Sequence, residues 1–211
     1  MRWLCGRMMG VALVAAVVTG CGSTSGNDDA LVFQFVGFDS NGITQADSVR
    51  ATSADVDVLQ DCCVEAEDGS CSDYESFTQT IINATFRNNE AADLHLQQVV
   101  IAVGPAGSVA TITHQLGGVL PGGRCSNIDQ QCSADADCIS ASSTTAGSCV
   151  HTETTINGIL LFDFSDKGFF LNRQGTYNVT ITFSAFDAVH TFQTSAGYTV
   201  TFADYDNCTS G

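Results

Sequence analysis

Cysteine, aspartate and histidine are the residues of this 211-residue chain whose types and spacing invite chemistry. Eight cysteines follow residue 60: Cys62, Cys63, Cys71, Cys125, Cys132, Cys138, Cys149 and Cys208. An even number suits disulfides in an oxidising compartment, and eight cysteines allow about 105 pairings, among which the sequence cannot choose. Zinc is the competing use. It commonly takes Cys-x-x-Cys pairs, and the spacing here holds none. The histidines 95, 114, 151 and 190 stand singly. There is no Gly-x-Ser-x-Gly elbow, His-Glu-x-x-His helix or phosphate-binding loop, so the chain reads as a non-enzyme.

Carboxylates offer hard oxygen ligands for Ca²⁺. Asp135 with Asp137 and Asp204 with Asp206 are Asp-x-Asp pairs, as are Asp55 and Asp57, while Asp163 and Asp166 precede Gly168 on an expected turn. Alternate residues of an extended segment place both carboxylates on one side, which favours a shared cation. None of the pairs completes an EF-hand or a nonapeptide repeat, and a solvated acidic turn is the competing account of each. Ca²⁺ is the one cofactor the residues suggest.

These groups need elements to hold them, and the elements read as strands. Leu31 to Phe38 is aromatic and β-branched, Val56 and Val58 hint at a short strand, and Cys62 to Asp73 reads as an acidic loop. Phe77 to Arg87 is a strand whose inward phase slips at Ile81-Ile82, which predicts a bulge or a register change there. Leu94 to Val103 becomes apolar on both faces, the mark of a covered sheet. Val109 to His114 is a further short strand, and Gly117 to Gly123 breaks it. Asn157 to Phe164 is another strand. Tyr177, Val179, Ile181, Phe183 and Ala185 alternate with polar residues, and so do Phe192, Ala196, Tyr198, Val200 and Phe202. Period-two alternation is the signature of half-buried antiparallel strands, here joined as a hairpin through 186–190. Residues 121–155 hold four cysteines and little apolar material, which reads as a disulfide-stapled loop insertion. The prediction is an all-β fold of about seven or more antiparallel strands carrying that insertion.

The N-terminus carries an address. Arg2 and Arg7 precede an apolar run from Met8 to Val18, and Val18-Thr19-Gly20-Cys21 follows. The run is too short for the ~20 residues a membrane helix needs. The four residues resemble the lipobox of bacterial lipoproteins, which implies cleavage before Cys21 and lipidation of Cys21. Residues 1–20 are then a signal peptide, 21–30 a Gly/Ser/Asn/Asp-rich tether, and 31–211 one domain. Gly22, where some sorting rules read Asp, implies the outer membrane. Losing residues 1–20 removes two of the seven basic residues and none of the 23 acidic ones, leaving a net charge of −18. Such a field repels nucleic acid. The expected contacts are the membrane, through the lipid, and a protein of the envelope or cell surface.

Gly175-Thr176-Tyr177-Asn178-Val179-Thr180-Ile181-Thr182, followed by Asp187-Ala188, is similar to the penultimate strand of bacterial immunoglobulin-like and PKD-type modules. The resemblance implies an immunoglobulin-like β-sandwich with Tyr177 as a structural corner residue. The Cys…Trp…Cys set is missing, since the one tryptophan, Trp3, lies in the signal segment. Cys132-Ser-Ala-Asp-Ala-Asp-Cys138 resembles short repeats of secreted bacterial proteins that carry no known chemistry. The Asn-x-Ser/Thr triplets at Asn83, Asn178 and Asn207 are not expected to be glycosylated behind a bacterial signal. Thirteen phenylalanines against four tyrosines favour a packed core over a sugar platform. Replacing the lipobox cysteine tests the address: Cys21→Ser is expected to abolish labelling by a fatty-acid probe and to move the protein into the soluble fraction. Unchanged membrane retention would refute the signal.

Overall fold

The computed structural model describes residues 32–39, 47–139, 146–205 and 208. Cys21 and the tether lie outside them. The described chain is built from strands with one short α-helix. In order these are β1 (Phe33–Asp39), β2 (Ser48–Val49), β3 (Ser53–Asp57), β4 (Cys62–Glu65), β5 (Cys71–Tyr74), β6 (Thr80–Asn88) and β7 (Leu94–Val103). They continue as β8 (Ala110–Gln115), β9 (Val119–Leu120), β10 (Arg124–Cys125), β11 (Cys149–Val150) and β12 (Glu153–Phe162). The helix α1 (Phe164–Phe170) and the long strands β13 (Gly175–Phe186) and β14 (Thr191–Ala203) close the domain. The large sheet runs β2-β3-β14-β13-β7-β8, with β9 pairing the first residues of β7; β1-β6-β12 form a smaller sheet.

The two sheets meet through aromatic rings. Phe183 of β13 lies 4.9 Å from Phe86 of β6 and 5.9 Å from Phe35 of β1, between ring centroids. Phe38 packs on Tyr198 at 5.0 Å, and Phe162 on Phe202 at 5.0 Å. These contacts follow from strand periodicity, since every second residue of β13 and of the inner half of β14 is carried to the same face. Val179, Ile181 and Phe183 are buried on β13, and Tyr198, Val200 and Phe202 on β14. The twelve-pair register from Gly175↔Phe202 to Phe186↔Thr191 is unbroken. Asp187 sets the turn that closes it, accepting hydrogen bonds from the backbone N–H groups of Val189 and His190 at 2.7 and 2.6 Å.

Four expectations are corrected. The phase of β6 does not slip: Thr80, Ile82, Ala84, Phe86 and Asn88 all point inward. The irregularities opposite it belong to its neighbours, in β12 between Ile156 and Ile159 and between Leu160 and Phe162, and in β1 between Phe35 and Gly37. Phe77 and Gln79 precede the strand, which is why counting from them placed a slip at Ile81. The second correction concerns Leu94 to Val103, whose far end is buried on one face only, through Val99, Ile101 and Val103; Val100 and Ala102 are half-exposed. Third, Cys62 to Asp73 is a β4–β5 hairpin, not a loop. Last, the strand expected to reach Phe164 stops at Phe162, and α1 follows it. The sheet also holds a parallel pair, with β3 beside β14 from Ser53↔Thr199 to Asp57↔Ala203. All other ladders between named strands are antiparallel.

The eight cysteines form four disulfides: Cys62–Cys71, Cys63–Cys208, Cys125–Cys138 and Cys132–Cys149. The adjacent pair Cys62-Cys63 thus serves two ends of the molecule, its own hairpin and the C-terminal segment. In the insertion, Cys125, Cys132 and Cys138 pack with Ile128 and Cys149 in a small cluster apart from the main core. Gly122 and Gly123 make that docking possible, because a Cβ there would collide with the Ala91 carbonyl oxygen and the Cys132 carbonyl oxygen. Phe183 sits where β1, β6 and β13 converge, so Phe183→Ala is expected to cost about 3–5 kcal/mol of folding free energy. Urea unfolding followed by tyrosine fluorescence would measure it, and a loss below about 1 kcal/mol would contradict the packing described.

Candidate functional site

Polar groups gather at two places where α1 meets the sheets. The first opens to solvent. Val109, Ala110, Thr111 and Ile112 of the β8 edge and Ser165, Asp166 and Phe169 of α1 line a cavity of about 300 Å³. α1 forms here because Asp163 caps it. The Asp163 carboxylate accepts from the backbone N–H of Asp166 at 2.8 Å and from the Ser165 hydroxyl at 2.7 Å, and Asp166 returns a bond from the Asp163 N–H at 2.9 Å. This reciprocal arrangement satisfies two backbone donors at the helix start. Asp163 and Asp166, expected on a plain turn, are therefore a helix capping box.

His114 of β8 completes the group. Its Nε2 lies 3.2 Å from the Leu161 carbonyl oxygen and 3.1 Å from Asp166 Oδ2. A carbonyl only accepts, so Nε2 carries the proton. Burial raises the Asp166 carboxyl above its ordinary value, while the Asp163 backbone hydrogen bond and the nearby imidazole pull it down. The Asp163 carboxyl moves the other way, lowered by the Ser165 hydroxyl and then by the Asp166 N–H. Ligand atoms of His114, Asp163 and Asp166 lie within 4.8 Å of one another. The trio combines an imidazole with two carboxylates, of which Asp166 lines the cavity, a set able to relay a proton or to offer ligands to a cation.

The other carboxylates named from the sequence are dispersed. Asp135 accepts from the Cys149 N–H at 2.7 Å. Asp137 accepts from the backbone N–H groups of Ser133 and Ala134 at 2.8 and 3.0 Å, and these bonds hold its carboxyl below the ordinary range. Both aspartates thus organise the insertion loop. Asp55 pairs with Arg50 at 2.9 Å, and Asp57 is buried. Asp204 is exposed, and its partner Asp206 lies outside the described residues. Three cysteine sulfurs of the insertion also lie close together, but all are disulfide-bonded and offer no thiolate.

His151 anchors the insertion: its Nδ1 donates to the Asn88 carbonyl at 2.8 Å. His95 faces solvent beside Phe186, and His190 lies 3.7 Å from Asp187. Tyr177 reaches back four residues, its hydroxyl donating to the Arg173 carbonyl at 2.8 Å.

The second gathering is sealed, and residue spacing did not reveal it. Lys167, the single lysine of the chain, and Asp47 have fully buried side chains. Nζ lies 3.0 and 2.8 Å from the two Asp47 oxygens. Oδ1 also accepts from the Asp57 N–H at 2.9 Å, and Oδ2 from the Thr80 hydroxyl at 2.5 Å. The Phe77 ring covers Nζ at 4.8 Å. The pointer in the sequence was composition: one lysine in the whole chain, set among Phe164, Phe169 and Phe170.

Compared with protein-family models, curated proteins and solved structures, the chain matches none. No helix among the described residues is long and apolar enough to cross a membrane.

The cap yields a pH test. Asp163, lowered in the fold, contributes stability that is complete above its ordinary carboxyl value and is lost as pH falls through the folded value. Asp163→Ala is expected to cost about 1 kcal/mol at neutral pH. Asp163→Asn keeps a good cap but should flatten the acid limb of a plot of unfolding midpoint against pH. Identical acid limbs in wild type and Asp163→Asn would refute the assignment.

Proposed function

We propose that this chain is a lipid-anchored protein of the bacterial cell envelope whose β domain is a non-catalytic binding or structural module. The lipobox ending at Cys21 is the observation that carries the reading. The four disulfides support it, because they suit an oxidising compartment outside the cytoplasm. The uses of the polar residues agree: Asp163 and Asp166 cap a helix, Asp135 and Asp137 shape a loop, and His151 fastens the insertion. The outer membrane is the proposed address, with an envelope or surface protein as partner.

The finer fold assignment is an immunoglobulin-like sandwich. Two facing sheets and the backward hydrogen bond of Tyr177 to Arg173 favour it, since a tyrosine corner makes a bond of this kind at the start of a late strand. The parallel β3–β14 pair is compatible with a sandwich edge and adds a strand to the large sheet.

A second reading has one specific observation behind it. The His114–Asp166 pair at the cavity favours a surface enzyme or accessory subunit, with Ca²⁺ a candidate ligand of the neighbouring carboxylates. The readings separate on intact cells. Protein crosslinking followed by mass spectrometry is expected to recover one stable envelope partner, and the recovery should survive Asp166→Asn. Loss of partner with that variant, or a chelator-reversible thermal shift with CaCl₂ that NaCl of equal ionic strength does not reproduce, would favour the second reading.

A further inference from the structure

We propose that Lys167 and Asp47 are the two ends of an intramolecular amide cross-link, formed by condensation of the Lys167 amine with the Asp47 carboxyl group. Contact geometry is the first support. With Nζ 2.8 and 3.0 Å from the two carboxyl oxygens, it lies about 3.3 Å or less from Cγ, inside the range of a near-attack arrangement. Asp47 is held by the Asp57 N–H and the Thr80 hydroxyl, and Phe77 covers Nζ, so the two groups are fixed side by side. An amine and an acid fixed in this way react at effective concentrations far above any in solution.

The step needs a neutral amine and a neutral acid, the nucleophile and the electrophile of amide formation. Both side chains are fully buried. The proposed step therefore begins with transfer of one proton from the Lys167 ammonium to Asp47 Oδ2, which leaves the total charge of the pair unchanged. In water at neutral pH the same two groups would both be ionised and unreactive.

The carboxyl is also polarised. The Asp57 N–H donates to Oδ1 and the Thr80 hydroxyl donates to Oδ2. Donors placed in advance on the oxygens of an acyl group stabilise the charge that develops there. The step balances without any co-reactant. The Nζ lone pair attacks Cγ, forming the C–N bond, while the C=O π pair moves onto Oδ1, held by the Asp57 N–H. A proton passes from the new C–N nitrogen to the Oδ2 hydroxyl, the Cγ–Oδ2 bond breaks, and one water leaves as the carbonyl reforms at Oδ1. The Phe77 ring over Nζ keeps bulk water from the product.

The link would join α1 to the segment before β2 across 120 residues of sequence. It would make covalent a junction that disulfides do not reach, since the four disulfides lie in the β4–β5 hairpin, the C-terminal segment and the insertion. Its chemistry is independent of the membrane address and of any partner.

The single lysine makes the test direct. The full chain, purified in detergent and kept folded overnight, is reduced, denatured and weighed by intact mass spectrometry. The expected mass is that of the processed chain less one water, and Lys167→Arg should restore the missing mass. Endoproteinase Lys-C, which cuts only after a free lysine, should leave the denatured wild type whole, and peptide mapping should find Asp47 and Lys167 in one branched peptide. Full mass in the wild type together with Lys-C cleavage into two fragments would overturn the proposal and leave the pair an ion pair. Because the wild type alone decides, misfolding of the arginine variant would not blur the result.

Discussion

One buried contact joins the two sheets and α1, which no strand ladder connects. Asp47 sits at the entrance to β2 and receives Lys167 from α1, Thr80 from the start of β6 and the backbone N–H of Asp57 at the end of β3. Groups 10, 33 and 120 residues along the chain from Asp47 meet on its one carboxyl group. Until a cross-link forms, burying the two groups is costly, and removing either partner of such a pair typically costs about 3–5 kcal/mol because the other is stranded. The contact therefore works less as net stabilisation than as a demand: the sheets and α1 must seat together or a charge is left uncompensated.

The aromatic core surrounds that demand. Phe162, Phe170 and Phe202 pack against each other, with Phe170 stacked on Phe202 at 3.8 Å. α1 is short, and its place is fixed from both ends of its sequence. Asp163 caps its start, while Lys167 and Phe170 are its buried residues. The helix closes one end of the space between the sheets and leaves Phe164 and Phe169 partly exposed on the other side. The disulfides act elsewhere. They order the hairpin, the C-terminal segment and the insertion, where apolar side chains are too few to do so.

Much of this was legible in the residues. β13 and β14 are plain from period two, because one face of each strand meets the core and the other meets water. Phe77 misled the phase of β6 since an apolar residue just outside a strand looks like one inside it. The four-residue turn at Asp187 was readable as well, because its side chain satisfies the backbone locally. The capping box is not legible in the residues alone. Asp163 and Asp166 fit a cap and a cation site equally well in sequence, and only the neighbouring backbone decides between them.

The sequence by itself determined the all-β class, the disulfide-forming cysteine set and the hairpin of β13 and β14. Each rests on composition or on spacing between near neighbours along the chain. Tertiary structure alone decided which cysteines pair, where the bulges fall, that β3 lies parallel to β14, and that the single lysine is buried against Asp47. Those outcomes depend on residues up to 146 positions apart, as in the pairing of Ser53 with Thr199. Such contacts are selected by how whole faces pack and by the cost of leaving a charge unmatched, and neither quantity exists until the chain has folded.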